Sequence, residues 1–566
     1  MRIPVAARAA ALLALLALPP TALAAQTVLG GGDDATLPRR GRARVRLGIL
    51  LETATERFGT PGSPLATRQP LGSGASFDTL GTRFLPALAP LQDTLRLLAG
   101  DAGLAASLGA LRTDVRVDVQ TIPLTAEVGI LDRVALSVMV PYVRTRSSVN
   151  PTVDPLGGGG NLGFAPTDGA SLARNATLNR QLTNAEAALR ALATTCGAAG
   201  ATDPRCTDFP SAQATALLAE AAAFRGRVGY LYGTGVQSSG RPFVPVAGSP
   251  TQRAVEGRVG DLATRFRAFG IDTLAATSAP AGASARLGLG GVQSLLTGEA
   301  YGIAGDTLRG LLQSGTGDVE LAASVQWLDT FRGDERARLA PSGVQLRSTL
   351  TAGYRLGVGS GDLPFYWFDV PTGSGVSALL LRSATDVVLG RRAWATAVVR
   401  VTQPFADEPV VRVPTAPGEV FVPAGRELTV SRQLGREVQV ELTPRWSFGD
   451  YLGVWGQYRL RAKAADEYEG RIVIPAAAGV PETVIDAASL NAESDARDQQ
   501  AGLGVTYSTV AAYARGRSNL PLEVSWIYRT TLAGAGGVPR FASQQVAVRL
   551  YFRVAGARQR GVSGVR

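Results

Sequence analysis

GTGDVELAASVQWLDTF, residues 315–331, alternates almost without a break: Val319, Leu321, Ala323, Val325 and Trp327 fall on one parity, and Asp318, Glu320, Ser324 and Gln326 on the other. Successive side chains of a strand point to opposite sides, so the segment has one apolar face and one polar, partly acidic face. A soluble antiparallel sheet turns the apolar face to a core and the polar face to water. A membrane-spanning barrel turns the apolar face to lipid and the polar face to a lumen. One strand is compatible with both, so the rest of the chain has to decide.

The pattern recurs. In EVQVELTPRWSF, Val438, Val440, Leu442, Trp446 and Phe448 oppose Glu437, Gln439, Glu441 and Arg445; in LEVSWIYRT, Leu522, Val524, Trp526 and Tyr528 oppose Glu523, Ser525 and Arg529. QVAVRLYFRV sets Val546, Val548, Leu550 and Phe552 against Gln545, Arg549 and Arg553, and VQLRSTLTAGYRLGV sets Val344, Leu346, Leu350, Tyr354 and Leu356 against Gln345, Arg347, Thr351 and Arg355. Period-two alternation over such lengths predicts half-buried strands. With further strands expected over 43–51, 113–130, 133–147, 376–389, 393–405, 451–465 and 500–513, the total is about 12, an even number that suits a closed bacterial barrel.

The connections discriminate better. Outer-membrane barrels alternate short periplasmic turns with longer extracellular loops. Short turns fall at Leu131-Asp132-Arg133, Gly390-Arg391-Arg392 and Gly449-Asp450, with somewhat longer ones near 331–341 and 513–520. Between them lie long polar or Gly/Pro-rich connections at 52–112, 148–314, 359–375, 406–435, 466–499 and, shorter, 533–540. A soluble sandwich has no reason to segregate loop length in this way. The reading is an all-β chain: an antiparallel transmembrane β-barrel of about 12 strands, with Val319 to Trp327 facing lipid and Asp318 to Gln326 facing the lumen.

The first residues, MRIPVAARAAALLALLALPPTALAAQ, carry Arg2 and Arg8, an apolar run and the small pair Ala22 and Ala24, which predicts a signal peptide over 1–24 with cleavage after Ala24. No later run approaches the roughly 18 apolar residues that a membrane helix needs. Without Arg2 and Arg8, 55 Lys+Arg stand against 46 Asp+Glu, a net charge of about +9. Nothing in the chain matches a nucleic-acid motif, so no nucleic-acid partner is expected. With His 0 in the composition, a Ser/His/Asp triad, a Cys/His pair and a His-ligated zinc site are excluded. The chain departs at that point from the outer-membrane phospholipase and the omptin-type protease, and no enzyme, catalytic residue, metal or cofactor is expected. Cys196 and Cys206, ten positions apart in an exported chain, read as a local disulfide.

The long connection 148–314 begins at PLGGGGN and contains NAEAALRALATTC, AQATALLAEAAAFRGRV and RAVEGRVGDLATRFRAF, whose spacing allows amphipathic helices. It reads as a helical extracellular loop or plug inserted in a barrel that occupies 25–566. Residues 84–111 read as a smaller helical insertion, and the Gly-rich runs 157–160 and 287–291 as flexible hinges. On the inward parity, Asp318, Glu320, Arg347, Arg355, Glu437, Glu441, Arg445, Arg459, Arg461, Glu523, Arg529, Arg549 and Arg553 are candidate lumen residues. The basic members suit an anion-favouring strip, or neutralisation against glutamates across neighbouring strands. The aromatic residues Trp327, Trp446, Tyr451, Trp526 and Tyr528 suit interfacial girdles, whereas Trp455 and Tyr551 fall on the inward parity.

At LDRVALSVMVPYVRTRSSV, TGDVELAASVQWL and YRLGVGSGD the chain resembles the outer-membrane family named after the meta-pathway of phenol degradation, whose members share a turn-strand motif of the type ITDRLxLxVxVPYV and a following GxGDVEL strand. About half the chain takes part, and the large insertion and the tail AGARQRGVSGVR depart from the pattern. The resemblance implies a barrel that passes small, often hydrophobic or aromatic molecules. The expectation is an outer-membrane channel or uptake protein of a Gram-negative bacterium, whose partners are outer-membrane lipid and lipopolysaccharide, a small-molecule solute and, during biogenesis, the barrel-assembly machinery. The alternative is a structural, adhesive or lipid-contacting barrel without an open pore.

Overall fold

The computed structural model describes residues 33–59, 67–86, 88–233, 242–299, 303–331, 343–361, 363–390, 392–415, 419–474, 482–492 and 494–554. The signal peptide expected over 1–24, most of the turn near 331–341, Arg391 and the tail from 555 lie outside them. Twelve long strands run in chain order: β1 (Arg42–Ala54), β2 (Ala110–Leu131), β3 (Val134–Asp154), β4 (Val319–Asp329), β5 (Val344–Leu356), β6 (Ala378–Leu389), β7 (Ala393–Pro404), β8 (Glu437–Phe448), β9 (Leu452–Lys463), β10 (Ala496–Ser508), β11 (Leu522–Ala535) and β12 (Ala542–Arg553). Each pairs antiparallel with the next, and β1 pairs with β12 from Arg42 opposite Arg553 to Thr53 opposite Ala542, so the sheet closes on itself. Closure satisfies the backbone polar groups that an open edge leaves exposed, the condition for crossing a bilayer with strands.

The alternation sets the two faces. Leu321, Val325 and Trp327 are 46%, 47% and 57% exposed, while Ser324 and Gln326 are 1% and 7% exposed. β8 alternates without a fault over its whole length, with Val438, Val440, Leu442 and Trp446 outward and Gln439, Glu441, Thr443 and Arg445 buried inward. An apolar outer wall of this extent has no use in water, where large exposed apolar patches are rare. At the end carrying the short turns, Trp327, Trp446, Phe448, Tyr451 and Tyr507 are exposed, and Tyr451 stacks on Tyr507 at 6.1 Å. Toward the other end, Tyr354 meets Phe405 at 5.9 Å. Among the described residues no helix is long and apolar enough to cross a membrane.

Three local readings change, the first being the hinge expected over 287–291, where Leu289, Gly290 and Gly291 form the first turn of the helix Leu289–Thr297. The strand expected over 500–513 stops at Ser508, and a short helix, Val510–Ala514, follows. Its sequence VAAYA lacks polar alternation and is rich in the best helix former. The glycine run at 157–160 is a packed turn rather than a hinge: Gly158 has φ +59°, and a Cβ there would lie 2.3 Å from the Asp78 carbonyl oxygen. β2 and β3 also reach further than expected, pairing from Leu131–Val134 out to Ala110–Asp154, so that they project beyond the other strands as a platform.

On that platform stands a cap with five helices among the described residues: α1 (Leu88–Ala99), α2 (Gly169–Cys196), α3 (Ser211–Tyr232), α4 (Pro250–Arg267) and α5 (Leu289–Thr297). Asp168 accepts from the Ser171 amide at 2.9 Å and Ser249 from the Gln252 amide at 3.1 Å, which starts α2 and α4 with side-chain caps. Leu91, Leu95, Leu182, Leu189, Phe224, Phe266 and Leu295 share one core with Phe421 of the β7–β8 connection. Trp367 of the β5–β6 connection meets Phe421 at 5.1 Å. Buried polar groups in the cap have partners: the Asn175 amide nitrogen donates to the Tyr232 carbonyl at 2.9 Å, and the Tyr232 hydroxyl donates to Gln252 Oε1 at 2.9 Å. Burial pushes the Tyr232 phenol well above its ordinary value. The disulfide Cys196–Cys206 ties the end of α2 to the turn Pro204–Cys206, with a Cα–Cα distance of 4.9 Å.

Candidate functional site: the barrel lumen

A closed barrel of 12 strands is wider than the eight-stranded barrels whose interior side chains can fill, so its lumen must hold water, a plug or both. The inner wall is charged. Arg347 donates to Asp386 at 2.8 Å, and Asp386, fully buried, also accepts from Thr396 Oγ1 at 2.8 Å. Glu320 faces Arg355 across β4 and β5 at 2.9 Å. On β8 and β9, Glu437 lies 3.8 Å from Arg461, which holds Asp498 at 2.5 Å. Glu441 accepts from Gln457 Nε2 at 2.7 Å and stands 3.8 Å from Arg400. Arg459 donates to Gln500 Oε1 at 2.5 Å, Arg529 to Gln457 at 2.9 Å and to Gln545 at 3.0 Å. Arg549 bridges Glu523 at 3.3 Å and Asp34 at 3.1 Å.

Most candidate lumen residues therefore meet as cross-strand ion pairs or charge-assisted hydrogen bonds. Two do not. Asp318 sits in the break between the short strand Leu312–Thr316 and β4, where its carboxylate accepts from the amides of Gly359 at 3.0 Å and Ser374 at 2.8 Å and so anchors the β5–β6 connection. Arg553 ends β12 and is exposed.

The feature without a sequence signal is the segment before β1. Residues 33–40 run from inside the lumen to the short-turn rim, where Arg40 bridges Gly129. The Ala35 amide donates to Asp386 at 3.1 Å, and its carbonyl accepts from Gln326 Nε2 at 3.0 Å and Thr349 Oγ1 at 2.8 Å. Asp34 lies 3.3 Å from Arg44, which is itself bound to Glu127 at 2.5 Å. Asp33 sits among Arg46 at 3.5 Å, Arg382 at 2.9 Å and, closer still, Arg400. Its carbonyl also accepts from Arg445 at 3.2 Å. Arg44 and Arg46 share the inward parity of RARVRLGIL, and Arg382, Asp386 and Arg400 that of β6 and β7, so alternation alone exposes them once those strands are read. Asp33 and Asp34 have no such pattern.

Beside this segment is a cavity of about 370 Å³ lined by Asp33, Arg46, Arg382 and Arg400, by Glu320 and Arg355, and by Met139, Ala322 and Leu380. A second pocket, of about 630 Å³, opens in the wall among Trp394, Pro444, Trp446, Trp455, Leu503 and Trp526. Pro444 has no amide proton to give to the ladder, and the pairing of β8 with β9 skips from Leu442–Tyr458 to Arg445–Trp455 at that point.

No family model and no curated protein sequence matches the chain. Among solved structures it is similar to an outer-membrane channel from Pseudomonas putida F1 (9% identity, TM-score 0.38, 93% of this chain and 100% of that one). It is also similar to the transport unit of the autotransporter AIDA-I from Escherichia coli (4% identity, TM-score 0.28, 91% of each chain). A third is the toluene transporter TbuX from Ralstonia pickettii (9% identity, TM-score 0.22, 91% of this chain and 90% of that one).

Proposed function

We propose that the protein is an outer-membrane channel or uptake protein for small solutes in a Gram-negative bacterium. The observation that carries this reading is the lumen itself: a closed 12-strand wall, apolar outside, encloses charged side chains and a cavity of about 370 Å³ rather than a packed apolar core. Such a lining lowers the cost of bringing a polar or hydrated solute across the bilayer. The short-turn end then faces the periplasm and the cap faces outward, as the loop rule for such barrels requires. In this orientation the lipid and lipopolysaccharide of the outer membrane meet the exposed apolar wall, and the barrel-assembly machinery inserts the chain. The motifs LDRVALSVMVPYV and TGDVEL favour the phenol meta-pathway family and, with it, hydrophobic or aromatic solutes.

A second reading, a structural barrel without an open pore, is favoured by the backbone of Ala35, which is bonded to β4, β5 and β6 at once. Single-channel conductance in a planar bilayer separates the two, on mature protein whose heat-shifted gel migration shows a folded barrel. Discrete steps that scale with salt are the expected result. A folded sample that never conducts would retire the aqueous channel and leave hydrophobic-solute uptake through a plugged or side-opening barrel, or the structural reading.

A further inference from the structure

The N-terminal segment fills one place in the lumen with a chemical group of its own, and the wall around that group is not neutral without it. Arg382 Nη1 and Arg400 Nη2 both meet Asp33 Oδ2, and Arg46 Nη1 approaches Asp33 Oδ1 from the other side. Three guanidinium groups on three strands thus converge on the two oxygens of one carboxylate, the planar geometry for which arginine is suited. Arg382 has one other partner, Thr351 Oγ1 at 3.1 Å, and its Nε is buried with no hydrogen-bond partner. The other ion-pair partner of Arg400 is Glu441, at 3.8 Å. Asp34 differs: its arginines, Arg44 and Arg549, have wall carboxylates of their own in Glu127 and Glu523. The cavity is lined by six arginines and five carboxylates; with Glu441 and Glu523, the further partners of Arg400 and Arg549, the wall supplies five carboxylates to six arginines, and the remaining two, Asp33 and Asp34, belong to the segment.

From this asymmetry we infer that Arg46, Arg382 and Arg400 form a binding site for small carboxylate solutes, occupied here by Asp33 as an internal stand-in that a solute must displace. The side chain of Asp33 contributes one carboxylate on one methylene, whereas the adjoining cavity offers about 370 Å³ bordered by Met139, Ala322 and Leu380. Apolar cavities of about 150 Å³ already admit benzene. The space beside the arginines therefore suits a carboxylate with a short aliphatic or single-ring body, its charge on the guanidinium cluster and its apolar part on those three side chains. A tethered competitor at the site lowers the apparent affinity of any solute by the fraction of time the site is vacant, so removing the Asp33 carboxylate must strengthen binding. The inference rests on the channel reading for its biological sense but not for its test.

The test is calorimetric titration of folded mature protein with benzoate, with inorganic phosphate as the comparison anion. Asp33→Ala is expected to bind benzoate at least tenfold more tightly than the unchanged protein, and adding Arg382→Gln and Arg400→Gln to it is expected to abolish that gain. Should Asp33→Ala not fold, Asp33→Ser serves the same comparison. Equal benzoate affinity with and without the Asp33 carboxylate, or a gain that survives loss of both arginines, would overturn the site. Phosphate bound as tightly as benzoate would overturn its assignment to carboxylates. Tight benzoate binding in a barrel that never conducts would sink the channel reading and keep the site. Conductance without any gain on removing Asp33 would do the reverse.

Discussion

The barrel wall and the cap are built from the same residue types with opposite placement. In the cap, Leu182, Leu189 and Phe266 are fully buried within one shared core, and the charged groups Glu220, Arg258 and Arg265 lie toward the surface. In the wall, Leu321, Val440 and Leu503 are exposed, and Arg347, Asp386 and Glu441 are buried. The difference is one of solvent. Water drives apolar area inward in the cap, whereas a hydrocarbon surround removes that drive, and leaves polar burial and backbone pairing to hold the wall. Equivalent substitutions should therefore have opposite consequences in the two regions.

The largest effect is expected in the cap. Phe266→Ala empties a fully buried site and should cost roughly 3–5 kcal/mol. Amide exchange should accelerate across α1 to α4, while the barrel keeps its heat-shifted gel migration. Loss of the barrel as well would show that the two regions fold as one unit and would break the comparison. On the wall, Val440→Arg places a charge at mid-height on the outer face and should cost roughly 2–4 kcal/mol in urea-dependent folding into lipid vesicles. A cost near zero would mean that this row of residues does not face hydrocarbon. Reduction of Cys196–Cys206, which closes a loop of sequence separation 10, should destabilise the cap by roughly 2–3 kcal/mol in the chain-entropy model. Protease sensitivity confined to 197–210 reads that effect, and cleavage spreading into β2 or β3 would contradict it.

How much of this was legible in the sequence follows from the range over which each feature is encoded. The strands were, because alternation is local: Val438 to Phe448 declares both faces within one strand, and a closed even-stranded sheet needs little more than the order of long and short connections. Helices such as α2 and α4 were legible from spacing, but their shared core with Phe421 and Trp367 was not, since those aromatics come from connections that carry no periodic pattern. The lumen was half legible. Parity singled out Glu320, Arg355, Glu441 and Arg549, and would equally have given Arg44, Arg382 and Arg400 had the same test been applied to their strands. The position of Asp33 and Asp34 was not legible at all. Their partners stand up to 515 residues away in the chain, and two aspartates in an irregular segment look the same in the sequence whether water or a ring of arginines surrounds them.

The smallest expected effect sharpens the contrast at its polar end. Asp203 starts the turn that carries Cys206: its carboxylate accepts from the Arg205 side chain at 2.6 Å and from the Arg205 amide at 2.9 Å. The guanidinium first, and the amide after it, hold the carboxyl down to about 2, below the ordinary value of about 3.9. A carboxyl depressed on folding contributes stability that is fully present above about pH 4 and is lost as pH falls through about 2. Because the group is open to water, solvent and salt screen the contribution, so the measurable quantity is the midpoint itself. Arg205→Gln should move the carboxyl midpoint, followed by carbon-detected NMR, upward from about 2 toward the ordinary range. The same substitution should leave the disulfide and the barrel intact. A midpoint already in the ordinary range in the unchanged protein would mean that this turn does not hold its capped geometry in solution, and that order in the cap ends with its apolar core. In the lumen the matching carboxylates are not local in this sense, because Asp33 serves arginines on three strands and Asp34 arginines on two, so that loss of either is felt across the wall.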